Sequence, residues 1–194
     1  KLLNIPPEAV ERVLSGLIFE ESVYIEKTPG EERVYLAAFF KAEQYVARKL
    51  DILNCTRPKK SILQLDSILQ QVQEEQKIEY TGEQLEAIRC SATESILIVT
   101  GGPGTGKTTL IRGIISIFEK SNLEIVLAAP TGRAAKRMAE ATGREAKTIH
   151  RLLEMEFTPD ESRREFRKNE RDPIKADAII IDEVSMVDIL LMHS

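Results

Sequence analysis

One glycine-rich segment, residues 101–108, constrains the fold of this 194-residue chain more than any other feature. It reads Gly-Gly-Pro-Gly-Thr-Gly-Lys-Thr and fits the pattern G-x-x-x-x-G-K-[ST]. An apolar run, residues 95–100, precedes it, and a helical pattern, residues 108–120, follows it. This order predicts a strand, a tight loop and a helix. The alternative, a glycine-rich turn that binds nothing, is disfavoured because the whole pattern occurs in the expected context.

The loop predicts a site for a nucleoside triphosphate and Mg²⁺. Its glycines let the backbone approach phosphate oxygens, and its N–H groups can point at an anion at the start of the helix. Lys107 is expected to reach the β- and γ-phosphates and the Thr108 hydroxyl to ligate Mg²⁺. The loop residues predicted to contact the nucleotide are Gly102, Pro103, Gly104, Thr105, Gly106, Lys107, Thr108 and Thr109.

From residue 95 onward the pattern alternates between strand and helix. Further strands are predicted at residues 124–129 and 178–181, with a helix at 132–142 that Gly143 caps. Because residues 95–100 are continuously apolar, we expect a strand that is buried on both faces. The fold class is therefore α/β, with a parallel sheet and helices on its faces.

Two acidic residues, Asp182 and Glu183, follow the third predicted strand directly. The carboxyl end of a parallel strand borders the ligand crevice of such a sheet. Asp182 suits a Mg²⁺ ligand, and Glu183 is placed to orient or deprotonate an attacking water. The alternative is an ordinary helix start with acidic residues in its first turn.

The part before the loop predicts helices and a hairpin. In residues 1–53 we expect a helix from Pro6-Pro7 to about Leu14, strands at 17–26 and 33–37, and a helix containing Ala42, together a small winged-helix-like α+β module. A spacer and a binding module are equally compatible with it. Residues 54–79 form a polar linker and a helix that ends near Gln76, with a capping box at 61–64. Residues 81–84 repeat that pattern and start a helix to about residue 92.

Composition excludes some classes of protein. The net charge of −4 does not indicate a nucleic-acid binder. A local basic groove stays possible in residues 41–60, which contain six basic and two acidic residues. A solvated helix face is the alternative for that stretch. Two cysteines without CxxC spacing favour a reducing cytoplasm over disulfides or zinc. The apolar runs are too short to span a membrane, and no signal-peptide pattern is present.

Four segments in order carry a family resemblance: residues 100–109, 129–138, 148–153 and 181–188. Together they resemble the RecD-like superfamily 1B DNA helicases, relatives of the exodeoxyribonuclease V alpha subunit. The resemblance covers residues 80–194, which it implies to be a partial P-loop NTPase (RecA-like) motor domain. It implies an ATP-dependent motor that moves 5′ to 3′ on single-stranded DNA and serves DNA repair and recombination.

The resemblance adds roles for individual residues. Gln84 is implied to read adenine, with helix capping as the alternative. Tyr80 could pack beside the base, although core packing is favoured. The residues implied to contact single-stranded DNA are Thr131, Gly132, Arg133, Thr148 and His150.

The resemblance also bears on what surrounds these segments. A charged insertion at residues 156–173 reads as a β-hairpin, and in the family such a hairpin separates DNA strands. Arginines from a second motor domain are implied to complete the site. The sequence is therefore expected to be an N-terminal fragment that ends after the acidic pair, with weak nucleotide binding and little hydrolysis. Two other interpretations stay open, a P-loop ATPase outside the helicases and a non-catalytic nucleotide-binding module.

Overall fold

The computed structural model describes residues 6–157 and 164–194 and divides into two compact units. One unit contains the residues up to Lys49 together with Asp188–His193, and the other contains Leu50–Val187 and Ser194. We call them the N-terminal unit and the motor unit, and each is described by itself.

The N-terminal unit begins with helix α1 (Pro7–Phe19) and a hairpin of strands β1 (Val23–Thr28) and β2 (Glu31–Leu36). Helix α2 (Ala37–Asn54) follows and extends into the motor unit. The hairpin closes through a two-residue turn whose second residue, Gly30, has φ 89°, as a type II turn requires.

The predicted order of helix, hairpin and helix is confirmed, but the first boundary was wrong. Helix α1 continues to Phe19 instead of ending near Leu14, so the first strand starts at Val23. Val10, Val13, Leu14 and Leu17 recur at helical spacing, and that period overrides the strand preference of the residues around 17.

Two helices lead to the loop. Helix α3 (Leu65–Gln76) ends where predicted, but Ser61 does not cap it. The chain turns at Gln64, which has φ 57°, and the helix starts only after that residue. Helix α4 (Gly82–Thr93) has the predicted capping box: Gln84 N–H donates to Thr81 Oγ1 (3.3 Å), and Thr81 N–H donates to Gln84 Oε1 (3.0 Å).

A three-stranded parallel sheet forms the centre of the motor unit, in the order β4-β3-β7. After the loop, α5 (Lys107–Lys120) leads to β3 (Ile125–Ala129), and α6 (Gly132–Thr142) leads to β4 (Ala146–Thr148) and α7 (Ile149–Leu152). An antiparallel pair, β5 (Met155–Phe157) and β6 (Arg164–Phe166), precedes β7 (Ala178–Ile181). A 3₁₀ turn (Val184–Met186) and α8 (Ile189–His193) end the chain. The α/β P-loop NTPase fold is confirmed.

The strand predicted at residues 95–100 is wrong. These residues have no strand hydrogen bonds, and Ile98 is 76% exposed. An apolar run becomes a buried strand only beside a hydrogen-bonded neighbour and between covered faces. Strand β3 already pairs with β4 and β7, and no strand in the described residues pairs with 95–100.

Helix α5 lies at the centre of the core. Val72 of α3, Ile88 of α4 and Ile117 of α5 are almost completely buried and belong to one cluster. A second cluster joins α5 to the sheet through Ile115 and Leu127. Burying a side chain of this size contributes about 1.5–3 kcal/mol. The start of α5, where the loop ends, is therefore held by packing along the whole helix.

Candidate functional site

The glycine-rich loop closes on itself at the start of α5. Gly104 and Gly106 have φ 77° and 80°, a region that glycine adopts without strain. Thr105 Oγ1 donates a hydrogen bond to the Gly102 carbonyl at 3.0 Å. Lys107 Nζ donates to the carbonyls of Gly101 and Gly102, each at 2.6 Å. The loop therefore holds the lysine ammonium against its own backbone.

The first turn of α5 offers donors to an anion. Lys107, Thr108 and Thr109 are its first three residues, and the N–H groups of a first turn have no partner within the helix. The positive end of the helix dipole lies at the same place. A Cβ on Gly104 would meet no atom within 4 Å, so the space beside the loop is open. These groups fit the phosphates of a nucleotide, and the exposed Thr108 hydroxyl fits a Mg²⁺ ligand.

Gln84 touches the loop and also caps α4. Its Oε1 accepts from Thr81 N–H, and its Nε2 lies 2.6 Å from the place where a Cβ on Gly106 would stand. The amide predicted to read adenine is thus directly beside the loop. Tyr80 is 4% exposed and packs in the core against Gly113, which confirms the core-packing interpretation. Burial raises the pKa of the Tyr80 phenol above its ordinary value.

The carboxyl ends of the three parallel strands meet at one edge of the sheet. Ala129 at the end of β3 pairs with Thr148 at the end of β4, and Ala128 pairs with Ile181 at the end of β7. Thr131–Arg133, Thr148–His150 and Asp182–Glu183 therefore leave the sheet along one edge, where ligands of such folds bind.

Asp182 is fixed to the end of the ladder. Its N–H donates to the Ala128 carbonyl at 3.0 Å, and its Oδ1 accepts from Glu183 N–H at 2.9 Å. Glu183 has φ 54°, which is uncommon for a residue other than glycine. Asp182 is half-buried and Glu183 is exposed, so the second carboxylate is open to solvent.

The two threonines predicted to contact DNA each cap a helix. Thr131 Oγ1 accepts from Ala134 N–H at the start of α6, and Thr148 Oγ1 accepts from Arg151 N–H at the start of α7, both at 3.2 Å. Gly132 and Arg133 are exposed, and the His150 ring lies 6.2 Å from the Phe166 ring.

The loop and the acidic pair are not joined by contacts. Across residues 6–157 and 164–194, no hydrogen bond or ion pair links Lys107 or Thr108 to Asp182 or Glu183. A groove of about 410 Å³ lies elsewhere, beside the start of β3, and contains none of the predicted site residues.

Sequence reasoning missed Asp177. Its Oδ2 accepts from Lys60 Nζ at 2.6 Å and from Glu124 N–H at 2.9 Å, so it joins the linker to the starts of β7 and β3. The hydrogen bond from Lys60, helped by that from Glu124, lowers the pKa of the Asp177 carboxyl. No local sequence pattern predicts the pairing of Asp177 with Lys60, which lies 117 positions away.

Comparison with known protein families supplies the deciding observation. The model of a family described as an AAA domain matches residues 84–194, more than half of the chain. The chain belongs to this AAA domain family. The match begins at Gln84 and contains the loop, the parallel sheet and the acidic pair.

Curated relatives of this AAA domain chain are named as ATP-dependent DNA helicases or as the RecD subunit of the RecBCD enzyme. The chain is 37% identical over 165 residues to the ATP-dependent RecD2 DNA helicase of Deinococcus radiodurans, covering 85% of the chain and 22% of that protein. It is 31% identical over 182 residues to the RecBCD enzyme subunit RecD of Mycolicibacterium smegmatis, covering 82% and 31%. It is 40% identical over 92 residues to the ATP-dependent DNA helicase dda of Enterobacteria phage T4, covering 46% and 21%.

The resemblance to RecD-like helicases is confirmed by these matches. The chain spans between a fifth and a third of the length of the three relatives. No helix in the described residues is long and apolar enough to cross a membrane.

Proposed function

We propose that this chain is the ATP-binding part of a DNA helicase motor, in which ATP hydrolysis drives 5′ to 3′ translocation on single-stranded DNA. The proposal rests above all on the common edge of β4, β3 and β7, from which the acidic pair and both segments predicted to contact DNA leave the sheet. The direction of movement is taken from the family alone.

The loop and Gln84 are proposed to bind ATP. Lys107, which now donates to the loop carbonyls, turns toward the β- and γ-phosphates when they enter. Gln84 Nε2 remains available for the adenine base, because only Oε1 is used in capping α4. A bound Mg²⁺ neutralises phosphate charge. Thr108 and Asp182 are the residues that would hold it.

Glu183 is proposed to act on the attacking water. Glu183 is exposed and follows Asp182 directly, which supports a role as the general base that accepts a proton from the attacking water. Arginines of a second motor domain are proposed to stabilise the transition state, a contribution of about 10³–10⁵ in rate in related phosphoryl transfers. The 194-residue chain by itself should then bind nucleotide weakly and hydrolyse little.

The DNA backbone is proposed to run along the same sheet edge. The starts of α6 and α7 present N–H groups, and Arg133 adds a cation. Contacts of this kind bind phosphates without reading bases, which suits a motor that must move along any sequence. Thr131, Gly132, Thr148 and His150 are the other proposed contacts.

The two free cysteines agree with a proposed location in the reducing cytoplasm.

The test is ATP turnover by the protein that contains this chain, measured with and without a single-stranded oligothymidylate. Turnover stimulated by DNA supports the helicase. Turnover without stimulation would support an ATPase outside the helicases, and no turnover would support a non-catalytic nucleotide-binding module.

Variants assign the turnover to the site. Lys107→Ala should abolish it because the charge that meets the phosphates is lost, whereas Lys27→Ala, on the exposed hairpin, should leave it unchanged. Glu183→Gln should keep nucleotide binding and lose hydrolysis. Full turnover in Lys107→Ala would refute the assignment.

The pair β5 and β6 is proposed to belong to a strand-separating hairpin. The two strands pair antiparallel, Met155 with Phe166, as the predicted hairpin requires, while residues 158–163 between them lie outside the described part of the chain. Replacing the hairpin by a short turn should abolish unwinding of a forked duplex and spare ATP turnover. Unimpaired unwinding would exclude this role.

A further inference from the structure

We propose that one face of α2 is a second contact for single-stranded DNA, which binds its phosphate backbone independently of the sheet edge. We call it the α2 basic face and define it as Lys41, Tyr45, Arg48 and Lys49. The choice of DNA as the polyanion rests on the proposed helicase function, whereas the anion preference rests on the face itself.

The four residues share one side of the helix. They follow one another at intervals of four, three and one, so they occupy about 100° of the circumference of α2, with Lys49 at its edge. Lys41 and Arg48 are exposed, and Tyr45 and Lys49 are half-buried. Glu43 is two positions from Lys41 and projects to a different side, whereas Asp51 lies three positions after Arg48 and borders the face. The face is therefore positive although the chain carries a net charge of −4.

An aromatic ring organises the cations. Arg48 Cζ lies 5.8 Å and Lys49 Nζ 5.3 Å from the centre of the Tyr45 ring, within the range of cation–π attraction. The His193 ring contacts the same ring edge-on, with centroids 4.7 Å apart and planes at 68°. Tyr45 thus holds two long side chains near each other before any ligand arrives, which reduces the entropy lost on binding.

The dimensions suit a nucleic-acid strand. From Lys41 to Lys49 the helix rises about 12 Å, at about 1.5 Å per residue. Phosphates follow one another at about 3.4 Å along the axis of a strand in a duplex, so the face spans about four of them. Cations interleaved with an aromatic side chain are typical of surfaces that bind single strands without sequence preference.

Apart from Glu43, the acidic residues of the same unit lie outside α2. Helix α1 carries Glu8 and Glu11, and the hairpin carries Glu26, Glu31 and Glu32. On the hairpin Lys27 forms an ion pair with Glu32 (3.0 Å) and Arg33 forms one with Glu31 (2.9 Å). Lys27 and Arg33 provide a matched control, because they are cations of the same unit that are not grouped around Tyr45.

The experiment measures binding of a fluorescein-labelled oligothymidylate to the protein that contains this chain, by anisotropy without nucleotide over a series of salt concentrations. The variant Lys41→Gln/Arg48→Gln/Lys49→Gln should bind at least tenfold more weakly. Its log–log salt slope should fall by about 2, since each phosphate contact on a single strand contributes about 0.7. Arg48→Gln alone, at an exposed position, should lower the slope by about 0.7. This single variant replaces the triple variant as the test if the triple variant does not fold.

Controls separate this contact from the motor. Lys27→Gln/Arg33→Gln should keep the affinity and the slope. Tyr45→Leu should weaken binding with little change in slope, because the charges remain. With saturating oligonucleotide the triple variant should reach the parental rate of ATP turnover, whereas Lys107→Ala should lose turnover and keep the salt slope. Parental affinity and slope in the triple variant would overturn the proposal, and so would equal competition by polyglutamate.

Discussion

The motor unit and the N-terminal unit are similar in apolar patterning but differ in packing. In the motor unit α5 is packed against α3, α4 and the sheet, and Val72, Ile88 and Ile117 are almost fully buried. In the described part of the N-terminal unit only Val23 and Ala42 are buried among the hydrophobic residues, and Phe19 is 90% exposed. A helix between a sheet and two further helices can bury its whole circumference, whereas a hairpin and helices cover one side only. Periodicity therefore predicts an element and its apolar face, whereas burial depends on what covers that face.

Truncation of a large side chain should separate the two units most strongly. Ile88→Ala removes a fully buried side chain and should lower the free energy of unfolding by about 2–5 kcal/mol. Phe19→Ala should change it by no more than about 0.5 kcal/mol. Urea unfolding followed by circular dichroism measures both, and equal effects would remove the contrast between the units.

The same glycine substitution should have opposite signs in the two units. A Cβ on Gly113 would overlap the Tyr80 hydroxyl oxygen, so Gly113→Ala should destabilise the motor unit by about 1–3 kcal/mol through overpacking. A Cβ on Gly16 in α1 would meet nothing within 4 Å, so Gly16→Ala should stabilise by up to about 1 kcal/mol.

Tyr80→Phe sharpens this test. It removes an oxygen that is buried without a hydrogen-bond partner, and it should rescue part of the loss in Gly113→Ala. No rescue would show that the contact between Tyr80 and Gly113 is not the cause.

Ser61 and Thr81 were both predicted to cap helices from the same pattern, and their substitution by alanine should show a smaller contrast in stability. Thr81→Ala removes an observed capping box and should cost about 1 kcal/mol. Ser61→Ala should change stability by less than about 0.5 kcal/mol, because Ser61 does not cap α3. Thermal unfolding of both variants distinguishes them, and a loss of the same size at Ser61 would contradict the observed helix start.

The smallest expected effect concerns Asp177 and depends on pH. Because the pKa of Asp177 is lowered in the folded protein, its contribution to stability is present above its ordinary value of 3.8 and is lost as the pH falls through the lower folded value. Asp177→Asn should therefore be less stable than the parent at pH 7. The two should converge as the pH falls below 3.8. If the stability difference between Asp177→Asn and the parent were the same at pH 7 as below pH 3.8, the ion pair with Lys60 would be ruled out as its cause.

The elements and site of the motor unit were largely predictable, for physical reasons. The loop, the α4 capping box and Asp182–Glu183 depend on residues close in sequence, and these local patterns fix local geometry. The position of Gln84 beside Gly106 was not predicted, since it joins separate elements; the family resemblance implied only that Gln84 reads adenine. The prediction of a strand at residues 95–100 was wrong because a strand requires neighbouring strands, which its own sequence does not supply.

Nucleotide binding by the 194-residue chain tests whether residues 101–108 hold ATP, because the measurement involves neither DNA nor a second domain. Calorimetric titration with Mg²⁺ and ATPγS should show weak, saturable binding to the parent chain. Binding to Lys107→Ala should be at least tenfold weaker, since the ammonium group held at the Gly101 and Gly102 carbonyls is absent. Lys27→Ala should bind like the parent. Equal affinity in Lys107→Ala, or no binding by a folded parent chain, would contradict the account.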